Sequence, residues 1–238
     1  MPVSSLAPRR SPPAHFHQWR WAGGGFALAL LVGVACGWGL QAAGDWHQGL
    51  LWERALLSAL PRDFPPLVDA AFLVLPWLAT NITLMPFVFG AALWLARVGR
   101  RDLAVHLTVV QLGSWALNMV LKELFDRQRP ALWEKRGQYA LASYPSGHAI
   151  ATVAVLLTVA FLLYRERGWR WPIVVVALLG VVSLYSRLYL GVHWPGDVLA
   201  GVLVGAVWFY ATVRAYTAPR PTAVAPAEVA HPAAARGA

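Results

Sequence analysis

The chain has 238 residues, of which 58% are hydrophobic and 13% are charged, and its mean hydropathy is +0.51. Soluble globular proteins carry about 25% charged residues, so the composition excludes an ordinary water-soluble domain and indicates a membrane protein. The formal net charge is +9, but the chain has no run of Lys and Arg with interleaved aromatic residues, so this charge does not indicate a nucleic-acid partner.

The amino-terminal segment, residues 1–20, is rich in Pro, His and Arg and lacks apolar periodicity, so we predict a flexible arm. The first apolar block, Ala22–Ala43, is long and has a poor cleavage pattern near Gly44. These features favour an uncleaved membrane helix over a signal peptide. The single cysteine, Cys36, lies in this block and excludes an intrachain disulfide or a cysteine zinc site.

The segment Asp45–Asp69 mixes Trp and Leu with charged residues such as Glu53 and Arg54, as expected of an amphipathic segment on the membrane surface. Five further apolar blocks approach or reach the length of a membrane span: Ala71–Ala96, Leu103–Leu121, Ile150–Tyr164, Trp171–Tyr185 and Val198–Tyr216. Backbone groups in lipid must pair internally, so the blocks should be helices. We predict an all-α, polytopic bundle of six transmembrane helices, one domain over residues 21–216, followed by a disordered tail over 217–238.

Six spans place both termini and the connections near Arg97 and Arg167 on one face. This face carries twelve of the twenty Lys and Arg residues: Arg9, Arg10, Arg20, Arg97, Arg100, Arg101, Arg165, Arg167, Arg170, Arg214, Arg220 and Arg236. By the positive-inside rule it is predicted to be cytoplasmic. The opposite connections are then expected at the outer face of a bacterial cytoplasmic membrane.

Three polar clusters lie at predicted helix ends on that opposite face. They are Lys122 with Arg129-Pro130, then Pro145-Ser146-Gly147-His148, then Ser186-Arg187 with His193 and Asp197. Two helices fit between the second and third clusters, so the chain returns to the same face. Phosphoryl transfer needs cations around the transferred group, an in-line nucleophile and an acid for the leaving oxygen. The clusters contain residues of all three kinds.

Lys122, Arg129 and Arg187 are predicted to bind the phosphate, because cationic side chains, and the planar fork of arginine in particular, suit its oxygens. Ser146 and Gly147 immediately precede a predicted helix. Their backbone N–H groups are therefore expected to point at the same anion, assisted by the positive end of the helix.

His193 and His148 are the candidate catalytic histidines. A neutral imidazole can attack phosphorus, and Asp197, four residues after His193, is placed to accept the other ring proton. We therefore assign His193 as nucleophile and His148 as acid and base. The residues alone leave an exchange of the two histidine roles open. Taken singly, each cluster also fits a structural role, and only their joint occurrence on one face favours a site.

The spacing resembles the three signature motifs of the type 2 phosphatidic acid phosphatase family, also called lipid phosphate phosphatases. Eleven positions match: Lys122, Arg129, Pro130, Pro145, Ser146, Gly147, His148, Ser186, Arg187, His193 and Asp197. The resemblance implies a helical bundle and a phosphohistidine intermediate on His193. It further implies acid and base catalysis by His148, orientation of the nucleophile by Asp197, and no required metal or cofactor.

We therefore expect a membrane phosphohydrolase acting on a lipid-linked phosphate or diphosphate. Undecaprenyl diphosphate ranks first, ahead of phosphatidylglycerophosphate, phosphatidate and a lipid A phosphate. Two alternatives stay open: a phosphotransferase with the same phosphoenzyme, and a non-catalytic binder or transporter of anionic lipids. A haloperoxidase with a similar anion pocket is disfavoured because such enzymes are soluble.

Two further sets of side chains carry structural predictions. Polar residues inside the third predicted span are expected to make interhelical hydrogen bonds: His106, Gln111, Ser114 and Asn118. Aromatic residues beside the three clusters are expected to form an interfacial belt: Trp133, Tyr139, Tyr144, Tyr189 and Trp194.

Overall fold

The computed structural model describes residues 16–61, 63–133 and 141–218, with side chains from Arg20 onward. Its α-helices are α1 (Phe16–Ala42), α2 (Leu51–Ala59), α3 (Pro66–Val74), α4 (Asn81–Arg97), α5 (Arg101–Phe125), α6 (Gly147–Ala151), α7 (Leu157–Arg167), α8 (Trp171–Tyr189) and α9 (Pro195–Thr217). A 3₁₀ segment, Leu75–Ala79, follows α3, and a π-helical turn, Thr152–Leu156, joins α6 to α7. These ranges contain no strand, so the all-α prediction is confirmed.

Five helices are long and apolar enough to cross a membrane: Arg20–Ala42, Arg101–Phe125, Gly147–Arg167, Trp171–Tyr189 and Pro195–Thr217. A sixth span results if the pair Pro66–Ala79 and Asn81–Arg97 is counted as one broken span. The predicted tail beyond residue 218 and the arm up to residue 15 lie outside the described residues. Helix α1 begins at Phe16, so residues 16–20 are helical where the arm was predicted.

The second predicted span, Ala71–Ala96, is not one continuous helix. Its two parts are bent by 49° and meet at Thr80. Pro76 lies just before the break and has no N–H to donate to the carbonyl of Phe72, four residues earlier. Thr80 then starts α4 anew, because its hydroxyl accepts a hydrogen bond from the Thr83 N–H (3.0 Å).

The remaining spans extend beyond their predicted ends. Helix α5 continues four residues past Leu121, and the helix predicted to start at Ile150 begins at Gly147. Apolar patterning predicted only the lipid-embedded part of each helix. The additional turns contain polar residues, so five of the candidate site residues lie in the first or last turns of helices: Lys122, Gly147, His148, Arg187 and Asp197.

Helix α9 packs along α1 and closely against α6. A Cβ atom on Gly201 would lie 2.7 Å from the carbonyl oxygen of Ser146, and one on Gly205 would lie 3.1 Å from that of Ile150. Two glycines four residues apart allow helix backbones to approach this closely. The contact fixes the amino end of α9 beside the amino end of α6.

Interhelical hydrogen bonds form as predicted at two of the four polar positions. The Gln111 side-chain amide donates to Asn81 Oδ1 (3.2 Å) and the Ser114 hydroxyl donates to the same atom (3.1 Å), which ties α5 to α4. The His106 ring instead packs against the Tyr216 ring in a tilted arrangement, with ring centroids 4.9 Å apart.

The predicted aromatic belt is wrong for three residues. Tyr144, Tyr189 and Trp194 are buried, because each side chain packs in the fold. The Tyr144 ring packs against Trp46, and its hydroxyl donates to the Gly33 carbonyl (2.5 Å). Tyr189 joins Phe64, Phe72 and Tyr185 in an aromatic cluster between α3 and α8. Trp133 is half-buried, and Tyr139 lies outside the described residues.

Candidate active site

The eight predicted site residues lie at one end of the bundle. Lys122 is in the last turn of α5, Gly147 and His148 begin α6, and Arg187 is in the last turn of α8. Asp197 lies in the first turn of α9, and the connections between helices supply Arg129, Ser146 and His193. The structure therefore brings together clusters that are far apart along the chain.

His193 is buried in the connection between α8 and α9. Its Nδ1 atom faces Asp197 Oδ2 (3.6 Å) and the Ser143 hydroxyl (3.4 Å). Its Nε2 atom lies on the other side, 3.5 Å from Arg129 Nη1. A neutral ring with its proton on Nδ1 satisfies both sides, because Nε2 then presents a lone pair among the cations.

The surroundings of His193 disfavour its charged form. Burial is the main cause, and the cations of Arg129, Lys122 and Arg187 add repulsion, so the pKa of His193 lies well below its usual value. A hydrogen bond to the Ser143 backbone acts in the opposite direction but is outweighed. The imidazole is therefore neutral at pH 7, the state in which it can act as a nucleophile.

Asp197 accepts three close hydrogen bonds. Oδ2 accepts from the Ser143 hydroxyl (2.6 Å) and from the Trp194 N–H (2.9 Å), and Oδ1 accepts from Arg127 Nη1 (2.7 Å). The carboxylate is held beside His193 rather than left to rotate. Ser143 lies between the two and contacts both, although no sequence motif identified it.

Lys122 and Arg129 hold the segment that leads to α6. Lys122 Nζ donates to the carbonyls of Ala142 and Pro145 (3.0 Å for Pro145). Arg129 donates from Nη1 to the Val192 carbonyl (2.5 Å) and from Nε to the Leu141 carbonyl (3.1 Å). These contacts position both cations beside His193.

Arg187 approaches the second histidine, since its Nη1 lies 3.4 Å from His148 Nε2. Its Nη2 donates to the Phe72 carbonyl (3.3 Å). Within α3 that carbonyl would normally accept from the residue four positions later, which is Pro76 and has no N–H. The same proline that breaks the second span therefore leaves an acceptor for Arg187.

Ser146 and Gly147 differ in detail from the prediction. The Ser146 N–H donates to the Asp197 carbonyl (3.0 Å) and so does not point at an anion. The Ser146 hydroxyl is buried and has no hydrogen-bond partner among the described residues. Gly147 packs closely against Asn118, because a Cβ atom there would lie 2.9 Å from Asn118 Oδ1.

Sequence reasoning missed a buried ionic group behind Asp197. Arg127 forms a two-bond ion pair with Glu53, at 3.1 Å to Oε1 and 2.6 Å to Oε2, and also contacts Asp197. All three side chains are fully buried. Burial acts to lower the pKa of Arg127, but the carboxylates of Asp197 and Glu53 outweigh it and raise the pKa. Loss of one partner from such a group typically costs about 3–5 kcal/mol of stability.

The only local signal for this group was the concentration of charge around Arg127. Glu53 lies 74 residues away, in the segment predicted to lie on the membrane surface. Helix α2 does expose Leu51, Trp52 and Leu56, but its Glu53 faces inward. Within the described part of the chain, no group of three or more His, Cys, Asp or Glu side chains is placed to hold a metal ion.

Comparison with known proteins identifies a family and relatives of this chain. A family model described as the PAP2 superfamily matches residues 103–221, half of the chain. YbjG of Escherichia coli (strain K12), named as a candidate undecaprenyl-diphosphatase, is 32% identical over 159 residues, which cover 64% of this chain and 75% of that protein. An undecaprenyl-diphosphatase of Sulfolobus acidocaldarius is 44% identical over 64 residues, 27% of this chain and 29% of its own length.

A solved structure shares the fold. The crystal structure of a transmembrane PAP2-type phosphatidylglycerolphosphate phosphatase from Bacillus subtilis superposes with a TM-score of 0.63. The match covers 82% of this chain and 94% of that chain at 21% sequence identity. The arrangement of membrane helices is therefore common to both proteins.

Proposed function

The chain belongs to the PAP2 superfamily, and on that premise we propose that it is a membrane phosphohydrolase that forms a phosphohistidine on His193. The observation that carries the proposal is the orientation of this ring. Nδ1 faces Asp197 and Ser143, whereas Nε2 faces Arg129 on the side of the cations. A phosphate held by those cations would lie within reach of the Nε2 lone pair.

The proposed reaction has two steps. In the first, a bond forms between His193 Nε2 and phosphorus while the bond from phosphorus to the lipid oxygen breaks, and His148 donates a proton to that oxygen. In the second, His148 takes a proton from water, the water oxygen attacks phosphorus, and the N–P bond breaks to release phosphate. The contact between His148 and Arg187 (3.4 Å) supports this role, because Arg187 is one of the cations proposed to bind the phosphate.

Charge stabilisation in both steps is assigned to the protein's own cations. Lys122, Arg129 and Arg187 would neutralise the oxygens of the transferred group. The Ser146 hydroxyl, which is buried and has no hydrogen-bond partner among the described residues, would donate to one of them. These groups perform the role that a divalent metal performs in many other phosphoryl-transfer enzymes. We therefore propose that the reaction requires no metal.

Undecaprenyl diphosphate is the substrate we rank first. The names of the Escherichia coli and Sulfolobus acidocaldarius relatives support this choice, and that of the Bacillus subtilis structure supports phosphatidylglycerophosphate as the second candidate. We further propose that the site opens to the outer face of a bacterial cytoplasmic membrane and that both termini are cytoplasmic. The arginines at the opposite end of the bundle support this orientation.

The proposal is tested by phosphate release from detergent-purified protein in excess chelator, with undecaprenyl diphosphate and phosphatidylglycerophosphate supplied in parallel. We expect His193→Ala to abolish release, and an acid-labile phosphoenzyme to form from labelled substrate in the wild type only. His47→Ala is the matched control, because His47 is an exposed histidine at the same end of the bundle. Equal activity of wild type and His193→Ala would overturn the proposal.

A further inference from the structure

The Glu53 carboxylate accepts four hydrogen bonds, although its helix α2 has an exposed face. Its Oε1 accepts from Arg127 Nη1 (3.1 Å) and the Gly196 N–H (3.0 Å), and its Oε2 accepts from Arg127 Nη2 (2.6 Å) and the Leu50 N–H (2.9 Å). Four donors hold one carboxylate, and two of them belong to the same guanidinium. Such an arrangement holds the buried carboxylate in one orientation.

Arg127 connects this carboxylate to the site. The Nη1 that contacts Glu53 also donates to Asp197 Oδ1 (2.7 Å), and Nε donates to the Trp46 carbonyl (3.0 Å). The guanidinium also lies over the Trp46 ring, 4.4 Å from its centroid. The Arg127 cation is therefore shared between two buried carboxylates, Glu53 and Asp197. Of these two, Asp197 is the one that faces His193.

The net charge of Glu53, Arg127 and Asp197 influences the electrostatic potential at the His193 ring. Two carboxylates and one guanidinium leave a net charge of −1 behind the imidazole. If Glu53 were neutral, the charges of Arg127 and Asp197 would cancel. When Nε2 bonds to phosphorus the ring becomes cationic, and Lys122, Arg129 and Arg187 lie near it. With a neutral group behind the ring, the negative charge of Asp197 would be offset by Arg127, so the developing charge would be less stabilised.

We infer that Glu53, acting through Arg127, is a positioning residue that balances the Arg127 charge and so leaves the charge of Asp197 available to His193. This inference rests on the proposed phosphohistidine function. Glu53 lies in α2, a helix distant in sequence from His193, and its neighbours Leu51 and Trp52 are exposed. In this inference, α2 therefore helps to position the nucleophile.

The test compares Glu53→Gln with wild type in a single turnover with labelled undecaprenyl diphosphate. Glu53→Gln keeps the shape of the side chain but changes the group charge from −1 to zero. We expect phosphoenzyme formation to slow by roughly 10- to 100-fold, the range found when metal-bound histidines lose a partner outside the ligand shell. KM should change little, because the phosphate-binding cations are intact. Glu123→Gln, at an exposed position in α5, should behave as wild type.

The double variant Glu53→Gln/Arg127→Gln separates charge from architecture. Compared with wild type, it lacks one negative and one positive charge, so the net charge of the group is again −1. We expect it to recover most of the rate that Glu53→Gln loses, although it lacks more hydrogen bonds. A purely architectural role predicts the opposite order, with the double variant slower and less stable to heat than the single variant.

The outcomes distinguish this inference from the function on which it rests. If wild type forms no phosphoenzyme, or His193→Ala is active, the proposed function fails. If His193→Ala is inactive but Glu53→Gln matches wild type, only the inference fails. If Glu53→Gln does not fold, the double variant alone decides. A rate of phosphoenzyme formation within about tenfold of wild type would then support the inference. A loss as large as that expected of Asp197→Asn, on the order of 10⁴-fold by analogy with a catalytic triad, would overturn it.

Discussion

At the scale of single residues, the protonation of His193 is the property on which the proposed chemistry depends. Burial and three nearby cations place its pKa well below the ordinary value of 6.5. As pH falls through 6.5, an unfolded chain therefore binds a proton at this position before the folded chain does. The free energy of unfolding should decrease over that interval, and the nucleophile should remain neutral within it.

A histidine side-chain NMR titration in detergent measures this directly. The resonance assigned by its loss in His193→Ala should not titrate between pH 8 and pH 6. The same ring in denaturant should titrate near 6.5. A folded-state midpoint at or above 6.5 would contradict the neutral-nucleophile interpretation.

At the scale of elements, the close contact of α9 with α6 positions the site. Gly201→Ala would place a Cβ atom 2.7 Å from the Ser146 carbonyl oxygen and 2.8 Å from Ala149 Cβ. Backbone cannot move aside as a flexible side chain does, so we expect a destabilisation of about 1–3 kcal/mol and reduced phosphate release. The displaced segment carries Ser146 and His148.

Thermal unfolding in detergent and the phosphate-release assay check this prediction. Gly90→Ala is the matched control, because a Cβ atom on Gly90 in α4 has no neighbour within 4 Å. Replacement of an unhindered helical glycine by alanine should leave stability unchanged or raise it by about 0.5–1 kcal/mol. Equal melting temperatures for Gly201→Ala and wild type would show that the contact relaxes without cost.

At the scale of the whole molecule, the two ends of the bundle differ in chemistry. One end contains the candidate site. At the other, Arg100 pairs with Glu166 (2.7 Å), and the Tyr216 hydroxyl donates to the same carboxylate (3.2 Å). These contacts join the α4–α5 turn to the ends of α7 and α9, surrounded by further arginines. The positive-inside rule then predicts that the site end faces outward.

Cysteine labelling in intact cells tests this orientation. In a Cys36→Ala background, Leu141→Cys at the site end should react with a membrane-impermeant maleimide. Trp169→Cys at the opposite end should react only after permeabilisation. The two positions are matched in exposure, at 47% and 45%. The reverse labelling pattern would invert the proposed topology.

The sequence by itself determined the membrane location, the all-α class and the identity of eight candidate site residues. Hydropathy is a local property that a 20-residue window reports. The three motifs are local as well, and the helix lengths between them require that the motifs return to one face. The candidate residues could therefore be brought into one proposed site without knowing any distance between them.

Tertiary structure alone decided which side chains surround them. Glu53 reads as a charge on an amphipathic surface segment until its contact with Arg127, 74 residues away, shows it fully buried. Tyr144 and Trp194 read as interfacial aromatics but are core residues, because their burial depends on neighbours from other helices. Likewise, the tertiary structure shows that the carbonyl of Phe72, which Pro76 cannot bond, accepts a hydrogen bond from Arg187. Pairing and burial arise between distant segments, so no local pattern contains them.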